Sequence, residues 1–275
     1  MSDVLPLKKN IIYGPVRSRR LGRSLGINLL PPGRKWCTFD CLYCQYGWTP
    51  RGDDRHAEEK DVPSHDDVVR AVEIAIRELD EPPAYLTFSG NGEPTLHPDF
   101  PRIADVVNLL RDRIAPRAKT ALLSNSSRVG DRVIRAAIAR LDRPIMKLDA
   151  GNARVFRDYN RPVAGIAHDD IVGGLSKMRN ITLQALFTAG PQGNLEEENV
   201  FDWIEKVKLI RPRDVQIYTI SRPIPSQGTS LRGGSGPPGK TRGPGRRRTI
   251  APAPASALMD IRDRLCREGI PAEVF

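Results

Sequence analysis

The chain has 275 residues, 39% of them hydrophobic, four cysteines and a formal net charge of +10. That length suffices for one large domain with a buried core. The sequence lacks the run of about eighteen apolar residues that a membrane-spanning helix needs, and four cysteines are too few for a disulfide framework. Met1 to Asn10 has no long apolar stretch and no small-residue cleavage site, so secretion is not expected and a reducing, cytoplasmic setting is. The charge is uneven: Arg222, Arg232, Lys240, Arg242, Arg246, Arg247 and Arg248 lie in a stretch without an acid, and the remaining chain is only mildly basic. A solvated basic loop is the simpler reading, so charge alone does not identify a nucleic-acid ligand.

From Ser24 onward, short apolar runs alternate with helical periodicity. Leu25 to Leu30 predicts a strand ended by Pro31-Pro32-Gly33. After a cysteine-bearing loop comes a helix from about Ser64. Ser64 can cap its first turn with Asp67 three residues later, and Val68, Val72, Ala75, Ile76 and Leu79 form the apolar stripe. Ala84 to Ser89 predicts the next strand, and Phe100, Ile103, Val107, Leu110 and Ile114 the next helix. Thr120 to Ser124 and Ile145 to Leu148 follow as strands, separated by a helix carrying Val133, Ile134, Ala137 and Ile138. A helix on Ile171, Val172 and Leu175 leads to a strand at Ile181 to Phe187. Val200, Phe201, Ile204 and Val207 outline another helix before a strand at Val215 to Ile220. Leu258, Ile261 and Leu265 mark a last helix, stopped by Gly269 and Pro271.

About six β-α units in this order predict parallel strands with helical crossovers. Six are fewer than the eight of a closed barrel, and an open doubly wound sheet is the alternative on pattern alone. The chain is expected to form a single domain over 1–275. Within it, 226–248 is a Gly-, Pro- and Arg-rich insertion with almost nothing apolar, expected to be disordered.

The densest chemical signal is Cys37-Thr-Phe-Asp-Cys41-Leu-Tyr-Cys44, three thiols within eight residues directly after the first predicted strand. Three thiolates so close together can each bind a different iron on one face of a cuboidal cluster. Ordinary [4Fe-4S] sites use four cysteines. Cys266 lies far off in the last helix, where it is expected to act as a small buried hydrophobe. One iron is then left open for a ligand. Structural zinc would need a fourth protein ligand such as His56 or His65, whose spacing fits no finger pattern. Inert buried thiols are the remaining alternative.

With Tyr43 in the aromatic place of C-x3-C-x-aromatic-C, the motif resembles that of the radical S-adenosylmethionine superfamily. The stretches from Tyr13 to Gly26, Cys37 to Gly47 and Phe88 to Pro98 are similar to a bacterial branch related to the tRNA wyosine synthases. The resemblance implies a partial (β/α)6 TIM-like barrel. It also implies a [4Fe-4S] cluster on Cys37, Cys41 and Cys44, S-adenosylmethionine on the open iron, and an electron donor such as flavodoxin or ferredoxin. Asn91-Gly92-Glu93-Pro94 resembles the Gly-Gly-Glu-Pro loop that receives the methionine ammonium, with Asn91 in place of a glycine. Ser124 and Asn125 resemble a polar pair that contacts the cofactor. Lys147-Leu148-Asp149 resembles a Ser-Leu-Asp segment that contacts the ribose, with Lys147 in place of the serine. The adenine contact is assigned to the region of Tyr43.

Arg17, Arg19, Arg20 and Arg23 precede the first predicted strand, either as a solvated basic loop or as a holder of carboxylate or phosphate. Tyr159-Asn160-Arg161-Pro162 is a further candidate to face the mouth of the barrel, without a chemical argument that places it among the site residues. Three functions remain open: modification of a tRNA base, activation of a glycyl-radical enzyme partner, or a non-catalytic metal-binding module associated with RNA.

Overall fold

The computed structural model describes residues 5–49, 61–222 and 249–275, so 226–248 and His56 lie outside the described residues. The elements in chain order are β1 (Ile12–Ser18), β2 (Gly22–Ile27), α1 (His65–Arg77), β3 (Tyr85–Phe88), α2 (Phe100–Ile114) and β4 (Lys119–Ser124). Next come α3 (Arg132–Ile138), β5 (Arg143–Lys147), α4 (Ala153–Val155), α5 (His168–Leu175), β6 (Thr182–Leu186) and β7 (Thr188–Ala189). The chain closes with α6 (Glu197–Ile210), β8 (Asp214–Tyr218), β9 (Ala251–Pro252), α7 (Ala255–Arg267) and β10 (Ala272–Val274). At α1 the Ser64 side chain accepts from the Asp67 amide, the predicted cap. No described helix is long and apolar enough to cross a membrane.

One eight-stranded sheet runs in the order β1-β2-β3-β4-β5-β6-β8-β10, parallel from β2 onward, with β1 antiparallel on β2. The parallel strands never reverse their spatial order. A doubly wound sheet requires such a reversal, so the sheet is the partial barrel and not the alternative. The six predicted strands are β2, β3, β4, β5, β6 and β8. The other two strands of this sheet were not predicted, nor was the short pair β7 and β9: β1 contains Gly14-Pro15, which reads as a strand breaker but is tolerated on an edge, and β10 is three residues long behind Pro271.

Strand alternation sorts the side chains into two layers. Leu25, Ile27, Leu86, Phe88, Leu122, Met146, Leu183, Ala185, Val215 and Ile217 join Val68, Phe100, Val107, Val172, Trp203 and Leu258 from the helices in the main core. The alternate strand positions face the barrel interior and are mostly polar. There Ser24 and Thr87 share a hydrogen bond of 2.7 Å, Gln184 donates to Gln216 at 2.9 Å, and Lys147 donates to the Tyr218 hydroxyl at 2.7 Å. At the N-terminal ends of the strands the interior is closed by Leu21, from the β1–β2 turn, packed on Ala121 and Ile145 with Tyr85 and Leu123 around it.

Cys266 corrects an expectation, because it is exposed. The buried face of α7 is Leu258, Ile261 and Leu265, and the next residue lies about 100° further round the helix, toward solvent.

Leu21→Ala should destabilise the fold by about 2–5 kcal/mol, the usual range for emptying a buried leucine site. Denaturant unfolding measures this, and the iron content of reconstituted protein should stay unchanged because no cysteine contact is touched.

Candidate functional site

The cysteine loop leaves the C-terminal end of β2, where barrel sites form, and two backbone tracts hold its shape. On one side, the Trp36 amide donates to Asn91 O at 2.9 Å and the Glu93 amide to Trp36 O at 3.0 Å. Gly92 sits between them with φ +147°, where a Cβ would overlap the Trp36 carbonyl oxygen, so only glycine fits. On the other side, the amides of Asp40 and Leu42 donate to the carbonyls of Asn160 and Tyr159, each at 3.0 Å, and Val163 donates to Thr38 O at 2.9 Å. Phe39 meets Phe156 edge-on and Tyr43 packs on Tyr159. Residues 156–160 form one π-turn, followed by Arg161 in the left-handed region at φ 49°. Such irregular helical turns often mark functional sites.

Two buried carboxylates brace the loop from below. Glu93, 1% exposed, accepts from the Thr95 amide and hydroxyl at 3.1 and 2.6 Å, from the Ser124 hydroxyl at 2.9 Å and from the Asn125 amide at 2.6 Å. Burial raises its pKa against the pull of those donors. Asp149, 3% exposed, accepts from the Tyr43 hydroxyl, from Asn160 Nδ2 at 2.8 Å and from the Leu186 amide at 2.9 Å, and pairs with Lys147 Nζ at 3.2 Å. Burial opposes the charge on Lys147, but Asp149 and Tyr218 outweigh it and raise its pKa.

The three thiols keep partial exposure. Burial pushes Cys37 up to about 12 and Cys41 up to about 11. Asn125 Nδ2 lies 3.4 Å from Cys37 Sγ, and Asn160 Nδ2 lies 3.5 Å from Cys41 Sγ. Lys35 is buried and donates to Gly47 O at 2.9 Å. Burial disfavours its charge, yet the fields of Cys44, Cys37 and Cys41 raise its pKa. Amide donors and a buried cation around three sulfurs suit the thiolates of an anionic iron–sulfur cluster. Zinc is a poorer fit. Among the described residues no three His, Cys, Asp or Glu side chains converge on one metal ion. His97 uses its two ring nitrogens on Pro63 and Asp99, and His65 pairs with Asp66 through Nδ1 while its Nε2 is buried without a hydrogen-bond partner.

The structure thus brings Cys37, Cys41, Cys44, Tyr43, Gly92, Glu93, Ser124, Asn125, Lys147 and Asp149 to one end of the barrel. Asn91 is there too, but its side chain is engaged elsewhere. It accepts from the Lys8 amide at 2.7 Å and donates to the carbonyls of Lys8 and Pro31, each at 2.9 Å. Its backbone is engaged as well, the amide donating to Asn28 Oδ1 at 3.0 Å and the carbonyl accepting from the Trp36 amide. The arginines separate. Arg17 and Arg19 are exposed, Arg23 is tied to Glu81, and Arg20 lies 4.8 Å from the Tyr218 ring centre. Sequence reasoning missed Asn160 and Lys35. Asn160 was visible only as part of a turn-like run, and nothing in Lys35's neighbours distinguishes it from a surface lysine.

The sequence profile described as "Radical SAM superfamily" matches residues 34–204. A UPF0026 protein of Methanocaldococcus jannaschii is 34% identical over 217 residues, 78% of this chain and 64% of that protein. A protein of Brachyspira hyodysenteriae named GTPase Obg is 30% identical over 224 residues, 78% of this chain and 31% of that protein. The chain therefore spans less than two thirds of the length of each of these relatives. Among solved structures, Streptococcus suis SuiB bound to S-adenosylmethionine superposes with a TM-score of 0.58 at 13% identity, covering 91% of this chain and 50% of that one, a likeness of fold.

Replacing Cys37, Cys41 or Cys44 with Ala should abolish binding of about four irons per chain, whereas Cys266→Ala should leave it intact. Iron and sulfide analysis after anaerobic reconstitution checks both. Loss of the cluster in Cys266→Ala would overturn the three-ligand assignment.

Proposed function

The chain belongs to the radical S-adenosylmethionine superfamily, and we propose that it acts on a nucleoside of an RNA, tRNA in the first instance, held in the polar barrel beneath the cysteine loop. The family uses a [4Fe-4S] cluster and S-adenosylmethionine. When bound, these supply one-electron cleavage of the cofactor to methionine and a 5′-deoxyadenosyl radical, which takes a hydrogen atom from the substrate.

The chain's own residues have separable tasks in this reading. Cys37, Cys41 and Cys44 hold three irons and leave one open. Gly92 lets the loop backbone approach the cofactor closely, and the Glu93 carboxylate fixes that loop against Ser124 and Asn125 while favouring a cation nearby. The reading is supported by a polar interior and by a basic stretch of sequence that joins the described residues at Arg222 and Thr249. Ser24, Thr87, Gln184, Gln216 and Tyr218 place hydroxyl and amide groups, bonded to one another or to Lys147, where closed eight-stranded barrels are filled by Val, Ile and Leu. Such groups suit the edges of an extruded base or ribose. The stretch with seven basic residues and no acid begins at Arg222, beyond the C-terminal end of β8. It returns at Thr249, whose amide donates to the Gln192 side chain at 3.0 Å, beyond β7. Both attachment points lie at the end of the barrel that carries the cysteine loop, where phosphate-binding charge is useful.

Fluorescence anisotropy with labelled tRNA should show binding that weakens steeply and log-linearly with salt. Replacing 226–248 with a short linker should weaken that binding while 5′-deoxyadenosine formation persists. Salt-independent association, or none, would turn the reading toward a protein substrate, as in glycyl-radical activation.

Glu93→Gln places an amide where four donors now converge. A hydrogen bond to a charged group contributes about 1.5–3 kcal/mol, so cofactor affinity should fall roughly ten- to a hundredfold. The cluster should still assemble. Titrating S-adenosylmethionine against the electron paramagnetic resonance signal of the reduced cluster reads the change, and unchanged affinity would remove Glu93 from the binding site.

A further inference from the structure

Asn160 ends the π-turn over 156–160 and is 2% exposed. Its side-chain nitrogen donates to Asp149 Oδ2 at 2.8 Å and stands 3.5 Å from Cys41 Sγ, with the Tyr43 hydroxyl at 3.4 Å. An amide nitrogen carries two protons. One is committed to the carboxylate, and the other is directed toward the sulfur and the hydroxyl beside it. The opposite rotamer would set the amide oxygen against Asp149, so the carboxylate fixes the orientation. That orientation has a consequence elsewhere: Asn160 Oδ1 is buried with no hydrogen-bond partner. A buried orphan acceptor is unfavourable and needs a reason. A strut for Asp149 would need only one donor, which a hydroxyl could supply without leaving an orphan. What the asparagine adds is the second proton, at Cys41.

We propose that Asn160 is a positioning residue that raises the reduction potential of the cluster by holding an amide proton on the Cys41 thiolate. The inference rests on the cluster assignment above. Reduction adds one electron to the cluster and more negative charge to its sulfur ligands, so an N–H donor stabilises the reduced form more than the oxidised one. The placement is rigid, because Asp149 holds the amide from one side and the Asn160 carbonyl accepts from the Asp40 amide at 3.0 Å on the other. Asn125 stands at Cys37 in a similar way, but its nitrogen also donates to the Thr38 hydroxyl at 2.9 Å.

The test is a potentiometric titration of the full-length reconstituted protein without S-adenosylmethionine, followed by electron paramagnetic resonance. Asn160→Leu keeps the branched shape and removes both protons. At a fixed solution potential its ratio of reduced to oxidised cluster should fall about tenfold, which for a one-electron couple is a midpoint about 59 mV more negative. Iron and sulfide content should match the wild type. A full cluster with an unshifted midpoint would overturn the proposal. A wild-type chain that assembles no cluster would instead sink the functional reading, so the two failures are distinct. Should the leucine variant lose its cluster, wild-type protein carrying 15N only in asparagine side chains decides the matter. Electron–nuclear double resonance should then show an amide nitrogen coupled to the reduced cluster, and the coupling should persist in Asn125→Ser. Its absence there overturns the proposal.

Discussion

A carboxylate buried at the end of a strand is tolerable only when every lone pair is answered, and Asp149 meets that condition by reaching into four separate parts of the chain. Tyr43 comes from the cysteine loop, Asn160 from the turn that straps it, Lys147 from the same strand end and the Leu186 amide from the neighbouring strand. Each of these segments also buries apolar side chains, Phe39 and Leu42 from the loop, Phe156 and Tyr159 from the turn, Met146 and Leu183 from the strands, and the carboxylate adds directional bonds to that packing. Removing one partner of such a buried, hydrogen-bonded charge typically costs about 3–5 kcal/mol, so the loop, the turn and two strands are held as a unit.

Glu93 repeats the arrangement on the opposite flank, with Thr95, Ser124 and Asn125 as its donors. The loop is thus clamped between two acids, each linked to an asparagine whose side-chain nitrogen faces a cysteine sulfur. The groups nearest the sulfurs are N–H donors and the buried ammonium of Lys35, while burial and the fields of Asp149 and Glu93, which still reach Cys41 and Cys37, push those thiols up. Direct exposure of the thiolates to either carboxylate would instead disfavour any added electron. Backbone irregularity has the same origin. The π-turn over 156–160 and the left-handed Arg161 bring two carbonyls, of Tyr159 and Asn160, onto the amides of Leu42 and Asp40. Carbonyls in the last turn of a helix have no partner within it, and here the cysteine loop supplies the donors.

The elements read most easily from the sequence were those whose pattern is repeated and local. The six parallel strands and their helices announce themselves through apolar periodicity, and the cysteine triplet through spacing within a single loop. What was missed depends on distant partners. Asn160 matters because it stands 2.8 Å from Asp149 and 3.5 Å from Cys41, contacts across more than a hundred residues in the second case that no window of sequence contains. Asn91 looked like a mild substitution for a glycine facing the cofactor. Its side chain in fact turns away to hold Lys8 and Pro31, a role set by the N-terminal segment lying across the loop. Cys266 failed for a plainer reason, since one residue's rotation along α7 separates a buried Leu265 from a solvent-facing neighbour.

Lys147 ties the two halves of the site together. At the position where related proteins are expected to offer a serine to the ribose, this chain has an ammonium already engaged with Asp149 at 3.2 Å and Tyr218 at 2.7 Å. Its side chain is 19% exposed, so it borders the interior without being free in it. A lysine so engaged is a weak candidate for a direct ribose contact, because rotating toward one would leave Asp149 with uncompensated charge. It is better placed to fix the Tyr218 hydroxyl, and with it the rim of the polar interior, relative to the cysteine loop. Tyr218 is also the ring that Arg20 approaches from the β1–β2 turn at the closed end of the barrel. A continuous chain of contacts therefore runs from the barrel floor through Arg20, Tyr218, Lys147 and Asp149 to Tyr43 beside the cysteines. The side chains that border the polar interior and those that brace the cysteine loop are thus held in place by the same carboxylate.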